Sequence, residues 1–181
     1  MCIRDSTWGI YLDDYSSGTL VTGNIVARTY RGGVHIHLGR NNTIENNILV
    51  DGYLHQFECN GREFMTNNRF VRNIVFFRQG NLIRFNRYHD RVLTACDHNL
   101  YWKVGEGLES AEGPVTPKGP LAAWREAGYD QHSVVADPLF VDPGRDDYRL
   151  KPGSPALALG FQPIDVSGIG VAGYQRPEGL P

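Results

Sequence analysis

Two histidines, His35 and His37, stand two residues apart in the segment GVHIHL, so they share one face of any β-strand. The earlier segment GIYLDD places Tyr11 and Asp13 at the matching positions, and Asp14 follows directly. Imidazoles exchange protons near neutral pH, and neighbouring carboxylates shift each other's pKa, as acid–base catalysis requires. If the two segments stack, these side chains form a candidate site for proton transfer.

Two later segments extend the same face. HQFEC contributes Glu58, and Arg84 and His89 come from NLIRF and the residues after it. We assign catalysis to Asp13, Asp14, His37 and Glu58. We assign substrate binding to Tyr11, His35, Arg84 and His89.

These residue types suit two reactions on a polysaccharide. A hydrolase would use one of the three carboxylates as the acid and another as base or nucleophile. The candidate carboxylates can reach both the separation of about 5–5.5 Å that suits retention and the roughly 6.5–9.5 Å that suits inversion. A lyase would use His35, His37 or Arg84 to take the α-proton of a uronate, while a cation or an arginine neutralises the uronate carboxylate. The sequence leaves both reactions open.

The same residues also have a structural interpretation. A polar outer face is normal for a sheet, and paired aspartates at a strand end are typical of a turn, where they cap backbone groups. His35, His37 and Asp13 share one face and have ligand atoms for a metal, but no further ligand is evident. We predict no cofactor. Calcium is possible in principle, but the sequence contains no clear acidic cluster that would bind it. The stretch DPGRDD at 142–147 is interpreted as a turn.

Four related segments reveal a repeat. TGNIV, ENNIL, VRNIV and DHNLY share the asparagines Asn24, Asn47, Asn73 and Asn99, at spacings of 23, 26 and 26 residues. Each repeat contains about three short β-type runs and turns rich in Gly, Asn and Asp, without a helical period. A propeller blade needs about 40 residues, so this repeat is too short for a β-propeller. The pattern therefore predicts a parallel β-helix of about four coils, stacked about 4.8 Å apart.

The repeated asparagines follow from that geometry. An amide both donates and accepts, so identical residues can bond from coil to coil, and Asn tolerates the left-handed backbone of a tight turn. Apolar rows between the asparagines, including Leu20, Ile44 and Phe70, are predicted to fill the interior. Each buried aliphatic side chain contributes roughly 1.5–3 kcal/mol.

The rest of the chain does not follow this repeat. Residues 104–136 are predicted to form an exposed loop and one short helix, LAAWREAG, which begins after Pro120 and stops at Gly128. The coils are assigned to 7–103, and 137–176 to irregular strands that pack on them. Trp102, Trp124, Phe140 and Tyr148 are interpreted as packing anchors. Residues 1–6, MCIRDS, are interpreted as a non-native artefact ahead of the C-terminal piece of a longer protein.

Charge and hydropathy argue against two classes of partner, nucleic acids and membranes. The 181 residues carry a net charge of −2, which is unlike the basic excess of nucleic-acid-binding domains. No apolar run approaches the roughly 20 residues that span a bilayer. We therefore predict neither a nucleic-acid nor a membrane partner.

Three segments carry a resemblance to a known group: GIYLDDYSSGTLVTGNIV, GGVHIHLGRNNTIENNILVD and ADPLFVDPGRDDYRLKPGSPALALGFQPID. They resemble the right-handed parallel β-helix repeat proteins with a pectin-lyase-like fold, and the last resembles the C-terminal portion of bacterial secreted carbohydrate-active proteins. Asp13–Asp14 is similar to the adjacent-aspartate motif of polygalacturonase-type hydrolases. The resemblance implies a secreted, periplasmic or cell-surface protein that acts on a polysaccharide or oligosaccharide. A non-catalytic glycan-binding β-helix and a purely structural solenoid are the alternatives.

Overall fold

The repeat is confirmed as a parallel β-helix in the computed structural model, which describes residues 7–105, 107–109 and 113–168. Within these residues each of four coils contributes one strand to each of three parallel sheets. The first sheet contains β1 (Trp8–Leu12), β4 (Gly32–His37), β7 (His55–Asn60) and β10 (Asn81–Phe85). The second contains β2 (Leu20–Thr22), β5 (Thr43–Glu45), β8 (Asn68–Val71) and β11 (Leu93–Asp97). The third contains β3 (Ile25–Ala27), β6 (Ile48–Val50), β9 (Ile74–Phe77), β12 (Leu100–Lys103) and β13 (Val134–Val135).

Asparagines fix the vertical register, as the repeat predicts. Asn24 donates through its backbone N and Nδ2 to Oδ1 of Asn47, at 3.1 and 2.9 Å. Asn47 makes the same pair of bonds to Asn73, and Asn73 makes it to Asn99. Because each buried amide would lose its partners if one coil slipped, this asparagine ladder favours a single alignment.

A second asparagine stack lies at the turn before the second sheet and was not predicted. The backbone N of Asn42 donates to Oδ1 of Asn68 at 3.0 Å, and the backbone N of Thr19 donates to Oδ1 of Asn42 at 2.9 Å. Both asparagines are fully buried. The first three coils are therefore held in register at two of their corners.

The interior row of the second sheet differs from the prediction by one residue in the first coil. Val21, not Leu20, pairs with Ile44, which in turn pairs with Phe70. Leu20 is exposed, whereas Val21 is buried. The ladder explains the difference, because Val21, Ile44 and Phe70 each lie three residues before a ladder asparagine.

The third sheet is buried on both faces. Val26, Leu49 and Val75 point into the coil, while an outer set packs against the C-terminal segment. That segment contains the antiparallel pair β14 (Phe140–Asp142) and β15 (Asp147–Leu150), joined by a 3₁₀ turn at Pro143–Arg145. It reaches back to the first coil, where Arg28 pairs with Asp146 at 2.5 Å. The C-terminal segment thus runs along the side of the β-helix.

The open end above the fourth coil is covered by a different segment. The helix α1 (Leu121–Glu126) follows Pro120, and Gly128 adopts φ +93, as predicted for its stop. Trp124 is fully buried there against the interior cluster. A second helix, α2 (Pro155–Ala158), was not predicted; it begins at Ser154, whose hydroxyl accepts from the backbone N of Ala156. Neither helix of the described chain has the length or apolar character needed to cross a bilayer.

Candidate functional site

The first sheet brings His37 and the two aspartates together on its outer face. His37 Nδ1 lies 3.2 Å from Oδ1 of Asp13 and 3.2 Å from Oδ1 of Asp14. Both aspartates are exposed at the turn that ends β1, where Asp14 has φ +23 and donates its backbone N–H to Asp13 Oδ1 at 2.9 Å. That bond, together with the His37 contact, lowers the pKa of Asp13. An ionised carboxylate therefore faces the imidazole.

This geometry sets the tautomer of His37. A carboxylate only accepts hydrogen bonds, so the nitrogen that faces Asp13 and Asp14 carries the proton. In the neutral imidazole the other nitrogen, Nε2, then keeps its lone pair and can act as a base. The two aspartates thus hold the ring and leave one nitrogen for chemistry.

Tyr11 provides an aromatic surface beside this group. It pairs with His35 in register, and its ring stacks on His35 and on Trp8, each with a centroid separation of 4.8 Å. The side of the ring away from the coil remains accessible, since Tyr11 is 40% exposed. Partial burial and the nearby Asp13 carboxylate raise the pKa of its phenol, so the hydroxyl stays protonated. A flat ring with a polar edge is suited to a sugar face.

Glu58 lies below that surface and holds several side chains together. Its Oε2 accepts from Trp8 Nε1 at 2.7 Å and from His35 Nδ1 at 2.8 Å, and His55 Nε2 lies 3.0 Å away. Arg31 approaches Oε1 at 3.7 Å and covers the Trp8 ring at 4.8 Å. Burial acts to raise the pKa of Glu58, but the bonds from its imidazole and indole neighbours outweigh it and hold the pKa well below its usual range. Glu58 is therefore a buried, ionised anchor.

His35 points out from the coil, as predicted, yet it is only 1% exposed. The rings of Trp8 and Tyr11 cover it, and its Nδ1 is bonded to Glu58. His35 thus belongs to the supporting layer beneath Tyr11. The sequence analysis placed it among the substrate-binding groups because a strand pattern gives direction but not the cover supplied by neighbouring rings.

Arg84 and His89 occupy different positions. Arg84 pairs with Glu58 in register and is exposed, so one column of the first sheet contains Tyr11, His35, Glu58 and Arg84. His89 lies in the loop after β10, where its Nε2 is 3.2 Å from the carbonyl oxygen of Arg62. Arg84 therefore lies in the same column as Tyr11, His35 and Glu58, while His89 packs on a neighbouring loop.

The sequence analysis missed Trp8, Arg31 and His55 as members of this site. His55 opens β7, and it lies over the backbone of the preceding coil because Gly32 has no side chain. A Cβ at Gly32 would come within 2.9 Å of His55 Cδ2. The unusual density of aromatic and histidine residues near the strand starts was the available signal.

Three ligand atoms for a cation converge at His37. One atom from each of Asp13, Asp14 and His37 lies within 4.8 Å of the others. Asp14, not His35, completes this set, because His35 is engaged with Glu58. Calcium takes six to eight oxygen ligands, so this set with one nitrogen fits it poorly. A cavity of about 450 Å³ lies elsewhere, beside Arg28 and Tyr148.

The chain is similar to the uncharacterized protein YwoF of Bacillus subtilis (strain 168), with 31% identity over 148 residues. The similar region takes in 78% of this chain and 26% of YwoF, so the chain spans about a quarter of that relative's length. No protein-family model matches the chain, and no solved structure shows significant similarity to it. Function is therefore inferred from the geometry of the site.

Proposed function

We propose that the chain is part of a secreted enzyme that acts on an acidic polysaccharide, with His37 as the proton-transfer group. The pectin-lyase-like resemblance of the repeats supports a carbohydrate substrate. The observation that carries the proposal is the position of His37 Nδ1, 3.2 Å from Asp13 and 3.2 Å from Asp14 on the outer face of the β-helix. Carboxylates that orient an imidazole in this way prepare its other nitrogen for general base catalysis.

Of the two reactions left open by the sequence, elimination suits these residues better than hydrolysis. The backbone N–H of Asp14 and the contact with His37 lower the pKa of Asp13, so its carboxylate is ionised and is a poor general acid for glycoside hydrolysis. Glu58 is buried and ionised, so it is a poor proton donor. His37 by contrast has the properties of a base.

In this elimination, Nε2 of His37 takes the proton on the carbon next to the uronate carboxylate. The electron pair of that C–H bond forms a carbon–carbon double bond to the neighbouring ring carbon. The bond from that carbon to the glycosidic oxygen breaks, and the oxygen leaves with a proton from solvent. The removed proton then returns from His37 to solvent.

Two exposed side chains are placed to hold the substrate. Tyr11 offers its ring beside His37. Arg84 lies two coils beyond the coil of His37 on the same sheet, about 10 Å away at about 4.8 Å per coil. Its guanidinium can pair with the carboxylate of an acidic sugar. A chain that runs across the coils would therefore meet an aromatic ring, a base and a cation in turn.

A non-catalytic glycan-binding protein is the second candidate. It is favoured by the openness of the face, because both aspartates are exposed and Glu58 is already fully engaged. The two functions predict different results when the protein is incubated with a polysaccharide. A binding protein retains the polysaccharide unchanged, whereas an enzyme of this type introduces a double bond into it.

The test measures binding and product formation on one panel of acidic and neutral polysaccharides. We expect ultraviolet absorbance from the new double bond, conjugated with the uronate carboxylate, on one acidic polymer. His37→Ala should lower the rate at least 100-fold, and Asp13→Asn about tenfold, because general base catalysis contributes about 10²–10⁴-fold. His98→Asn, a change at an exposed histidine beside another aspartate, is the matched control and should leave the rate unchanged.

Two outcomes would decide against the proposal. Reducing ends without ultraviolet absorbance would indicate hydrolysis, and tight binding without product would indicate the glycan-binding alternative. A folded protein that neither binds nor alters any polymer in the panel would contradict both.

A further inference from the structure

A second group of histidines and a carboxylate lies at the fourth coil, where the last strand of the second sheet ends. Asp97 ends β11, His98 follows it, and His132 comes from the segment just before β13. One ligand atom from each residue lies within 4.8 Å of the others. Both histidines are exposed, and Asp97 is partly buried.

The Asp97 carboxylate is held in place by the backbone. Its Oδ1 accepts from the backbone N of His98 at 2.9 Å and from the backbone N of His132 at 2.7 Å. Its Oδ2 faces the two imidazoles, 2.7 Å from Nδ1 of His132 and 3.5 Å from Nδ1 of His98. Partial burial opposes the charge, but the bonds from His132 and His98 lower the pKa of Asp97. One oxygen is thus fixed, and the other is directed at two nitrogens.

Both histidines lie beside residues that are bonded into the asparagine ladder. His98 has φ +58 at the position before a ladder asparagine, where Asn46 and Arg72 of earlier coils have φ +55 and +52. His132 precedes Ser133, whose hydroxyl accepts from the backbone N of Asn99 at 2.8 Å. The rings stack with their centroids 5.0 Å apart. The fold, rather than the histidines themselves, brings these groups together.

We propose that Asp97, His98 and His132 bind a divalent transition-metal ion such as Zn²⁺. Two imidazoles and a carboxylate are ligands that this class of ion prefers. At bond lengths of about 2.0–2.2 Å, tetrahedral ligand atoms stand about 3.3 Å apart. The 3.5 Å separation of Asp97 Oδ2 and His98 Nδ1 is already close to that value. The shorter contact to His132 lengthens when the metal replaces the shared proton.

The site joins two parts of the fold. Asp97 and His98 belong to the fourth coil, whereas His132 belongs to the segment that covers it. A bound ion would therefore tie the cover to the last coil. Three protein ligands leave at least one coordination position for water. Because the ligands must lose their protons, binding weakens as the pH falls.

The experiment uses the 181-residue protein without a histidine tag, treated with a chelator and then dialysed. Zn²⁺ is titrated by calorimetry, and thermal unfolding is followed with and without the ion. We expect one ion per chain at this site and a rise in Tm of about 5–10 °C at a zinc concentration 100 times Kd. Co²⁺ provides a second readout, because its visible absorption reports the coordination geometry.

Two variants test the assignment, and one controls it. His132→Ala and His98→Asn, where asparagine suits the left-handed backbone, should each lower the affinity at least tenfold and remove the rise in Tm. His37→Ala alters the other aspartate–histidine group and should leave both unchanged. Zinc binding that survives in His132→Ala and His98→Asn, that is lost in His37→Ala, or that is absent from the unmodified protein would overturn the proposal.

Discussion

Nδ2 of Asn99 donates to Oδ1 of Asp130 at 3.2 Å, so the asparagine ladder ends on a fully buried carboxylate. All the other side chains bonded to that carboxylate also act as donors. They are Tyr101 Oη, Trp124 Nε1, Ser133 Oγ and Cys96 Sγ. Burial raises the pKa of Asp130, although these bonds oppose the shift. The residue therefore joins the ladder, the interior and the covering helix at one point.

Asp130→Asn should destabilise the protein by about 2–4 kcal/mol, because the new amide NH₂ would face donors and leave buried groups without acceptors. Urea unfolding followed by circular dichroism measures the change. Asp142→Asn alters an exposed aspartate in the β14–β15 pair and should stay within about 0.5 kcal/mol. Equal stability of the two variants would show that Asp130 is not an anchor.

The ladder should weaken most when it is cut in the middle. Asn73 Oδ1 accepts two bonds from Asn47, and Asn73 Nδ2 donates to the carbonyl of Ile44. Asn73→Ala therefore leaves several buried groups unsatisfied and should cost about 3 kcal/mol or more. Asn24→Ala, at the first coil, should cost about 1 kcal/mol. The comparison uses the free energy of unfolding, and a larger loss for Asn24→Ala would contradict the ladder's role in register.

The vertical register was predictable because a ladder requires the same residue at the same place in every coil. Asn24, Asn47, Asn73 and Asn99 supply that signal without any other information. The row containing Leu20 was misplaced because two adjacent apolar residues, Leu20 and Val21, fit the interior equally well by composition. Only the distance to the next ladder asparagine separates them.

The sequence analysis assigned residues 137–176 to irregular strands that pack on the coils, but it did not identify the third sheet as the surface they cover. A strand that is apolar on both faces shows no alternation, and Ile25–Ala27, Ile48–Val50 and Ile74–Phe77 are continuous apolar runs of this kind. These runs indicate that something covers the outer face. They do not identify the covering segment, because that depends on a chain reversal far along the sequence.

Gly32 should prove necessary for the position of His55. A methyl group at Gly32 would lie 2.9 Å from His55 Cδ2 and 3.1 Å from the His55 carbonyl oxygen, so the ring would have to move. Gly32→Ala should cost about 1–3 kcal/mol, as overpacking does. Gly113→Ala, where a Cβ meets nothing within 4 Å, is the control and should be neutral within about 0.5 kcal/mol. Chemical denaturation distinguishes them.

Glu58 should contribute stability that depends on pH. Its pKa is lower in the folded protein than the value of about 4.3 in an unfolded chain, so the unfolded state binds the proton first as the pH falls. The contribution is therefore present above about pH 4.3 and is lost progressively below it. Glu58→Gln should cost about 3 kcal/mol at pH 6 and much less at pH 3.

The measurement for Glu58 is the free energy of unfolding between pH 3 and pH 6. Glu109→Gln changes an exposed glutamate that pairs with Arg125 and should have little effect at either pH. If the Glu58→Gln and unmodified proteins lose stability in parallel as the pH falls, Glu58 does not carry this dependence.

The candidate site was predictable to the extent that it follows from strand register. Aligning the glycines pairs Tyr11 with His35 and brings Asp13 to His37, as the structure shows. The burial of His35 and Glu58 was not predictable, because it depends on how the Trp8 and Tyr11 rings lie over them. Ring packing depends on several side chains at once, and no pairwise spacing encodes it.

Tyr11 should contribute to polysaccharide binding through its ring. Tyr11→Ala should weaken binding about tenfold, because a stacked aromatic contact contributes about 0.5–1.5 kcal/mol, whereas Tyr11→Phe keeps the ring and should stay within about twofold. Affinity is measured by calorimetry on the polymer that the protein recognises, after circular dichroism has shown that each variant is folded. Tyr53→Ala removes an aromatic residue that is 53% exposed and lies outside the His37 group, so it serves as the control. If Tyr11→Ala bound as tightly as the unmodified protein while Tyr53→Ala did not, the binding face would lie elsewhere on the β-helix.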